Sequence, residues 1–215
     1  MPEAAGREHE VVVYGATGFT GGLTAEYLAR HAPGARWALA GRNPVKLEAL
    51  RDRLTAIDPA LATLPLITAD TGDPSSLTAM VKSTQVVITT VGPYIHYGEP
   101  VVAACAAAGT DYVDLTGEPE FVDRMWLGYH DQATQTGARL VHSCGFDSIP
   151  HDLGALFCVG QLPEGVPLRV EGFVRAGGTI SGGTFHSAVN IMGRLPQGRR
   201  VARERAAREP RPPER

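Results

Sequence analysis

Gly15, Gly18 and Gly21 recur at three-residue intervals directly after the apolar run 10–14 and open onto a helix-like segment. That order has a chemical meaning. A glycine at the end of a buried strand permits a tight turn. A second lets a ligand reach the backbone, and a third lets the following helix pack close to the strand. The first turn of that helix offers unpaired N–H groups and the positive end of its dipole. Such a turn suits a pyrophosphate, and G-x-x-G-x-x-G is a variant of the dinucleotide-binding fingerprint. Thr17, Phe19 and Thr20 lie within the turn and join the three glycines as candidate cofactor-binding residues.

The next predicted strand, 36–40, runs into Gly41, Arg42 and Asn43. NAD-binding domains place Asp or Glu about 20 residues beyond the glycine turn, where it holds the ribose hydroxyls. No acid stands at this tip. Arg42 stands there instead, with Lys46 one helical turn on. A carboxylate would repel a 2′-phosphate, whereas a guanidinium can bind it bidentately. The expected cofactor is therefore NADP, with NADPH preferred over NADH. The other reading of Arg42 is a plain surface arginine. Asp70 closes the third predicted strand, 64–69, and either accepts a hydrogen bond from the adenine amino group or serves as a turn carboxylate. Val91 and Gly92 follow the fourth, 85–90, beside the switch-point crevice, where the Gly92 backbone can approach the nicotinamide ribose.

These candidates need a frame. Two further strands are predicted at 112–115 and 139–142, and helices alternate with the strands throughout. Leu23, Tyr27 and Leu28 define one face of a helix over 21–30. Asn43 and Pro44 read as the start of a helix over 44–54, and Asp73 caps one beginning at Pro74. A small-residue helix over 99–108 stops at Gly109. Phe121, Val122, Met125, Trp126 and Tyr129 share one face of another. The expected fold is α/β, a doubly wound parallel-sheet dinucleotide-binding (Rossmann) domain over residues 1–150. Residues 151–198 read as the incomplete start of a second α/β domain for substrate or dimerisation, with a helix at 152–160, an alternating strand at 168–175 and part of a helix at 187–193. Residues 199–215 form an Arg-rich tail, read as a solvated, frayed helix end followed by Pro-rich coil.

Composition bounds the alternatives. The chain has 215 residues, 43% of them hydrophobic and 20% charged, which fits a buried core and argues against global disorder. It has no apolar run of about 18 residues and no apolar segment near its start resembling a signal peptide. Three scattered cysteines suit neither a disulfide framework nor a metal site, so no metal is expected and a reduced, cytoplasmic setting is. Peripheral association with a membrane is the alternative location. The net charge of −3 conceals seven arginines and three glutamates in 199–215. Without aromatic interleaving that tail does not read as a nucleic-acid arm.

Five segments occur in order: Gly15 to Gly22; Ala40-Gly41-Arg42; Val91-Gly92-Pro93-Tyr94 with Tyr97-Gly98-Glu99-Pro100; Asp114-Leu115-Thr116-Gly117-Glu118; and Gly145-Phe146-Asp147-Ser148-Ile149-Pro150. Over about residues 8–195 this set resembles the saccharopine dehydrogenase-like oxidoreductases, most closely the mycobacterial trans-acting enoyl reductases. Members of that family run to roughly twice this length, so the chain looks like the N-terminal half. The resemblance implies an NADP-dependent oxidoreductase that reduces an enoyl-thioester double bond during synthesis of polyketide-derived cell-envelope lipids. Its expected partner is an acyl-thioester substrate carried by a polyketide synthase, and a homo-oligomer is an open option. Two other readings stand beside it: a non-catalytic nucleotide-binding fragment, and a saccharopine-reductase-like enzyme of amino-acid metabolism.

Enoyl reduction requires hydride delivery, stabilisation of an enolate oxygen and a proton. Tyr94 follows Gly92 and Pro93 at the switch point and is the expected catalytic residue. The alternative is a ring packed against its loop. Glu118 either caps a helix or faces the cleft, Asp147 caps the next helix or lines the cleft, and Cys144 reads as a buried, inert thiol. His142 reads as a core or solvent-facing histidine.

Overall fold

The computed structural model describes residues 6–175, 177, 182, 189 and 191–210. Strands β1 (His9–Tyr14), β2 (Trp37–Gly41), β3 (Leu66–Thr68), β4 (Thr84–Thr89), β5 (Asp111–Asp114) and β6 (Leu140–Val141) form one sheet in the order β3-β2-β1-β4-β5-β6. Every pairing is parallel, with Val13 opposite Leu39 on one side and Ile88 on the other. This is the expected doubly wound α/β arrangement, and the strand order reverses between β1 and β4.

The connecting helices are α1 (Phe19–His31), α2 (Pro44–Leu54), α3 (Pro74–Ser83), the single turn α4 (Tyr94–Tyr97), α5 (Glu99–Ala108) and α6 (Pro119–Thr136). Alternation along the strands divides the core in two. Val12, Tyr14, Ala38 and Ala40 pack with Leu77, Met80, Phe121 and Met125 on one face. Val13, Trp37 and Leu39 pack with Ala25, Leu47, Leu50 and Leu54 on the other. The helix boundaries follow their caps. The Asn43 side chain accepts from the Lys46 N–H at 3.0 Å, and Asp73 accepts from the Ser75 and Ser76 N–H groups. Gly109 and Gly137 end α5 and α6 in the left-handed region.

One helical face departs from expectation. Helix α1 buries Gly21, Gly22 and Ala25, while Leu23 and Tyr27 are exposed. The helix lies so close to the sheet that only small residues fit beneath it.

Beyond residue 150 the expectations hold less well. Helix α7 (Ile149–Val159) forms but buries none of its residues, and Leu153, Leu156 and Phe157 are exposed. The strand expected at 168–175 is absent. A strand needs a neighbour for its ladder bonds, and none pairs with it among the described residues. Leu168, Val170, Phe173 and Val189 are accordingly exposed. Val189 and 191–193 are helical, and the rest of 187–193 lies outside the described residues.

The arginine-rich segment is a correction. Residues 195–208 form a helix, α8 (Leu195–Arg208), docked on α6 rather than a frayed end. Arg194 makes two hydrogen bonds to Glu120, at 2.9 and 2.6 Å. Arg205 reaches Asp123 at 3.0 Å and lies 5.3 Å above the Trp126 ring. Val201 is buried beneath them. Acidic α6 offers a row of partners that a basic helix alone cannot reveal. Residues 211–215, expected as coil, lie outside the described residues. Among the described residues, no helix is long and apolar enough to cross a membrane.

Candidate dinucleotide site

The carboxyl ends of β1, β2 and β4 are tied together by the glycine turn. Gly15 adopts φ +83°, and the N–H groups of Gly15 and Ala16 both donate to the Ala40 carbonyl, at 2.9 and 3.2 Å. On the other side, the Thr90 N–H donates to the Tyr14 carbonyl at 2.9 Å and the Thr90 hydroxyl to the Gly15 carbonyl at 3.2 Å. A Cβ on Gly15 would stand 2.7 Å from Val91 Cγ2 and 2.9 Å from Thr90 Oγ1. Backbone conformation and space both demand glycine there.

The other two glycines differ in what demands them. A Cβ on Gly21 would overlap the Gly15 carbonyl and lie 2.8 Å from Ala16 Cα, so this glycine sets the approach of α1. Gly18 is extended, at φ −79° and ψ 170°, a conformation open to any residue. Its Cβ would meet only the Gly15 carbonyl, at 3.3 Å. The protein imposes less on Gly18 than on Gly15 or Gly21, and apart from that carbonyl the space around its Cβ is open. Helix α1 starts there with no side-chain cap and no acid in its first turn. Its leading N–H groups and dipole therefore face outward without competition.

Thr17, Phe19 and Thr20 surround this opening, and Phe19 is exposed. Arg42 is exposed immediately after β2, and Asp70 stands two residues beyond the end of β3. The two meet electrostatically at Tyr14, whose pKa is pushed up to about 12, chiefly by burial and further by Asp70, with Arg42 opposing. One Asp70 oxygen accepts the Gly72 N–H at 2.8 Å, so the turn role is realised. Val91 lies against Gly15, and Gly92 precedes Pro93 through a cis peptide. The structure thus gathers Gly15, Thr17, Gly18, Phe19, Thr20, Gly21, Arg42, Asp70, Val91 and Gly92 along one edge of the sheet.

Tyr94 does not join them. Its side chain is buried, and its hydroxyl turns inward to donate to the Thr89 carbonyl at 3.1 Å. Burial, followed by Asp114 and Glu118, pushes its pKa well above the ordinary tyrosine value. The ring packs at 5.8 Å from Phe121. A hydroxyl committed to a main-chain carbonyl inside the core is placed to hold the loop rather than to donate a proton in the crevice.

Two buried carboxylates organise that loop. Glu118 accepts the N–H groups of Tyr94 at 3.0 Å and Ile95 at 2.9 Å, so it caps α4 and not its own helix. Asp114, at the end of β5, accepts from the Tyr112 hydroxyl (2.8 Å), His142 Nδ1 (2.6 Å), the Thr116 N–H (3.0 Å) and the Ser143 N–H (2.9 Å). Ser143 sits at φ +60°, outside the usual range for a residue with a Cβ. The Asp114–His142 pairing escaped sequence reasoning because Asp114 ends β5, His142 follows β6, and no local spacing links them. Asp147 is exposed and α7 begins without a side-chain cap, so the expected capping is not made. Cys144 is half-buried rather than buried. Its thiol is pushed upward by burial first and Asp114 second, which disfavours the thiolate.

Gly18→Val is expected to fold, with its Cβ pressing on the Gly15 carbonyl, and to lose NADPH binding because the rest of the side chain invades the ligand's space. A folded variant that titrates NADPH like the parent would remove this turn from the site. Tyr94→Phe is expected to lower stability by about 1 kcal/mol, one internal hydrogen bond, and to leave NADPH affinity unchanged. Loss of reductase turnover in a family-length Tyr94→Phe protein of undiminished stability would return Tyr94 to a catalytic role.

Comparisons place this geometry among known proteins. A protein of Mycobacterium tuberculosis provisionally named a trans-acting enoyl reductase is 50% identical over 193 residues, 88% of this chain and 45% of that protein. The trans-acting enoyl reductase of Mycobacterium ulcerans is 55% identical over 150 residues, 70% of this chain and 35% of that one. The chain therefore spans less than half the length of these relatives. Among solved structures, apo saccharopine dehydrogenase (L-Glu forming) from Saccharomyces cerevisiae matches with TM-score 0.58 over 71% of this chain and 31% of that one. Its 18% identity bears on the fold alone. Residues 11–141 match the family model of the saccharopine dehydrogenase NADP binding domain, and the chain belongs to that family.

Proposed function

We propose that this chain supplies the dinucleotide-binding part of an NADP-dependent oxidoreductase that reduces the double bond of an enoyl thioester. The observation that carries the reading is the uncapped glycine turn, open at Gly18, with Arg42 in place of the ribose-binding acid. The N–H groups at the start of α1 hold the pyrophosphate, and Arg42 pairs with the 2′-phosphate. Thr17, Phe19 and Thr20 border the phosphates. Asp70 borders the adenine, and Val91 and Gly92 border the nicotinamide ribose. When bound, the cofactor supplies hydride to the β-carbon of the substrate. The names of the relatives at 50–55% identity, trans-acting enoyl reductases, support enoyl reduction by a protein that acts in trans. The polyketide-derived cell-envelope lipids of the expectation above remain the preferred products. Residues 151–198 form the beginning of the substrate side.

Arg42→Ala is expected to weaken NADPH binding by about 1–3 kcal/mol, a lost charge-assisted contact, and to leave NADH binding nearly unchanged. Equal affinities of the parent for the two cofactors would sink the assignment. Activity is tested by NADPH oxidation with an enoyl thioester, comparing the 215-residue chain with a version extended to the length of its relatives. Turnover is expected from the longer protein and little from the shorter. Hydride transfer needs a second wall that holds substrate within about 3–3.5 Å and excludes water. Here α7 leaves its apolar side chains exposed instead of closing such a wall. A longer protein that reduces an imine but no enoyl thioester would favour the amino-acid reductase.

A further inference from the structure

Helix α8 crosses the start of α6 without filling the space between them. Bounded also by α4, a cavity of about 240 Å³ remains. Ile95, Pro119, Ile191, Leu195 and Ala202 give it apolar walls. Three carboxylates border it, yet each is already engaged. Glu118 holds the α4 N–H groups, Glu120 is bound by Arg194, and Asp123 by Arg205. Arg199 lines the same cavity, is exposed, and has no ion-pair partner among the described residues. An apolar interior with a cation at its rim that is unpaired among the described residues complements an amphiphile, an apolar chain ending in an acyl oxygen that is anionic in the free acid.

Position and size narrow the ligand. Ile95 stands three residues after Gly92, and Glu118 lies just beyond the carboxyl end of β5. Two of the residues that line the cavity therefore lie beyond the carboxyl ends of β4 and β5, the edge that also carries the dinucleotide crevice. An apolar cavity of about 150 Å³ accommodates benzene, so by proportion this one takes roughly nine or ten carbons.

We infer that the cavity between α4, α6 and α8 is the binding site for the acyl chain of a medium-chain thioester or its free acid, with Arg199 facing the acyl oxygen. This rests on the acyl-thioester reading above. It goes further in assigning the chain's location and in giving the arginine-rich helix a part in substrate recognition.

The test is calorimetric titration of the full 215-residue chain with decanoate, decanol and decanoyl-CoA, with CoA alone as control. Saturable binding of decanoate and decanoyl-CoA is expected, with decanol several-fold weaker and CoA alone far weaker than its decanoyl ester. Arg199→Gln should bring decanoate down to the level of decanol. Ala202→Trp fills the cavity and should reduce decanoate affinity about tenfold or more while NADPH affinity stays at the parent value. Gly198→Leu serves as a second filling variant, since a Cβ there meets only Glu120 Cβ at an ordinary 3.7 Å. Absence of saturable decanoate binding by the folded parent overturns the proposal. So does undiminished binding by a folded filling variant, or CoA binding as tightly as its decanoyl ester. Decanoate binding that both filling variants abolish sustains the site even if the family-length protein leaves enoyl thioesters unreduced. In that case only the enoyl reading falls.

Discussion

The left-handed turn at Gly15 is the constraint on which the rest of the site depends. Its N–H and that of Ala16 share one acceptor at the end of β2, while Thr90 at the end of β4 binds the carbonyls of Tyr14 and Gly15. Three adjacent parallel strands are thereby held at a common edge. A side chain at position 15 would collide with Val91 and Thr90, so this junction admits no Cβ. From that point the direction of α1 follows, and with it the outward aim of the first N–H groups.

The close approach of α1 then determines what the helix can bury. Gly21, Gly22 and Ala25 form its inner face because the Gly15 carbonyl and Ala16 lie directly beneath. The large residues Leu23 and Tyr27 are displaced outward, and Tyr27 stacks on His31 with ring centroids 4.2 Å apart. Apolar burial thus yields locally to backbone proximity, and the cost is offset by α2, whose Leu47, Leu50 and Leu54 fill the same face of the sheet. The phosphate-facing edge and the core are satisfied by different helices.

On the other half of the sheet the organising groups are buried carboxyl groups. An ionised carboxylate removed from water is costly unless it is well hydrogen-bonded. Asp114 meets that condition with donors from its own strand, from the loop that follows and from the segment after β6. Glu118 meets it with backbone N–H groups at the start of α4. Both therefore lock loops at the crevice edge, and Tyr94 is held from both ends, at its N–H by Glu118 and at its hydroxyl by Thr89. Three residues of chemically suggestive type serve as scaffolding for one another.

Local pattern was enough to reveal the alternating elements, the six strands, the caps at Asn43, Asp73 and Gly109, and the glycine turn with Arg42 at the next strand tip. These features are encoded in consecutive residues, through strand burial, capping hydrogen bonds and backbone freedom, so the chain carries them without reference to distant parts. The inner face of α1 depended on how near the sheet lies, which no helical periodicity expresses. The inward turn of Tyr94 depended on an acceptor at Thr89 and on a ring contact with Phe121. The Asp114–His142 pair joined the end of β5 to the segment after β6, and the docking of α8 required acids of α6 far away along the chain. The missing strand at 168–175 shows the same limit, since alternation makes a segment able to pair but supplies no neighbour. What the sequence determined was each segment's intrinsic conformation and the chemistry it carries. Only the tertiary structure decided which buried polar groups meet, because desolvated donors and acceptors must find partners wherever the fold brings them.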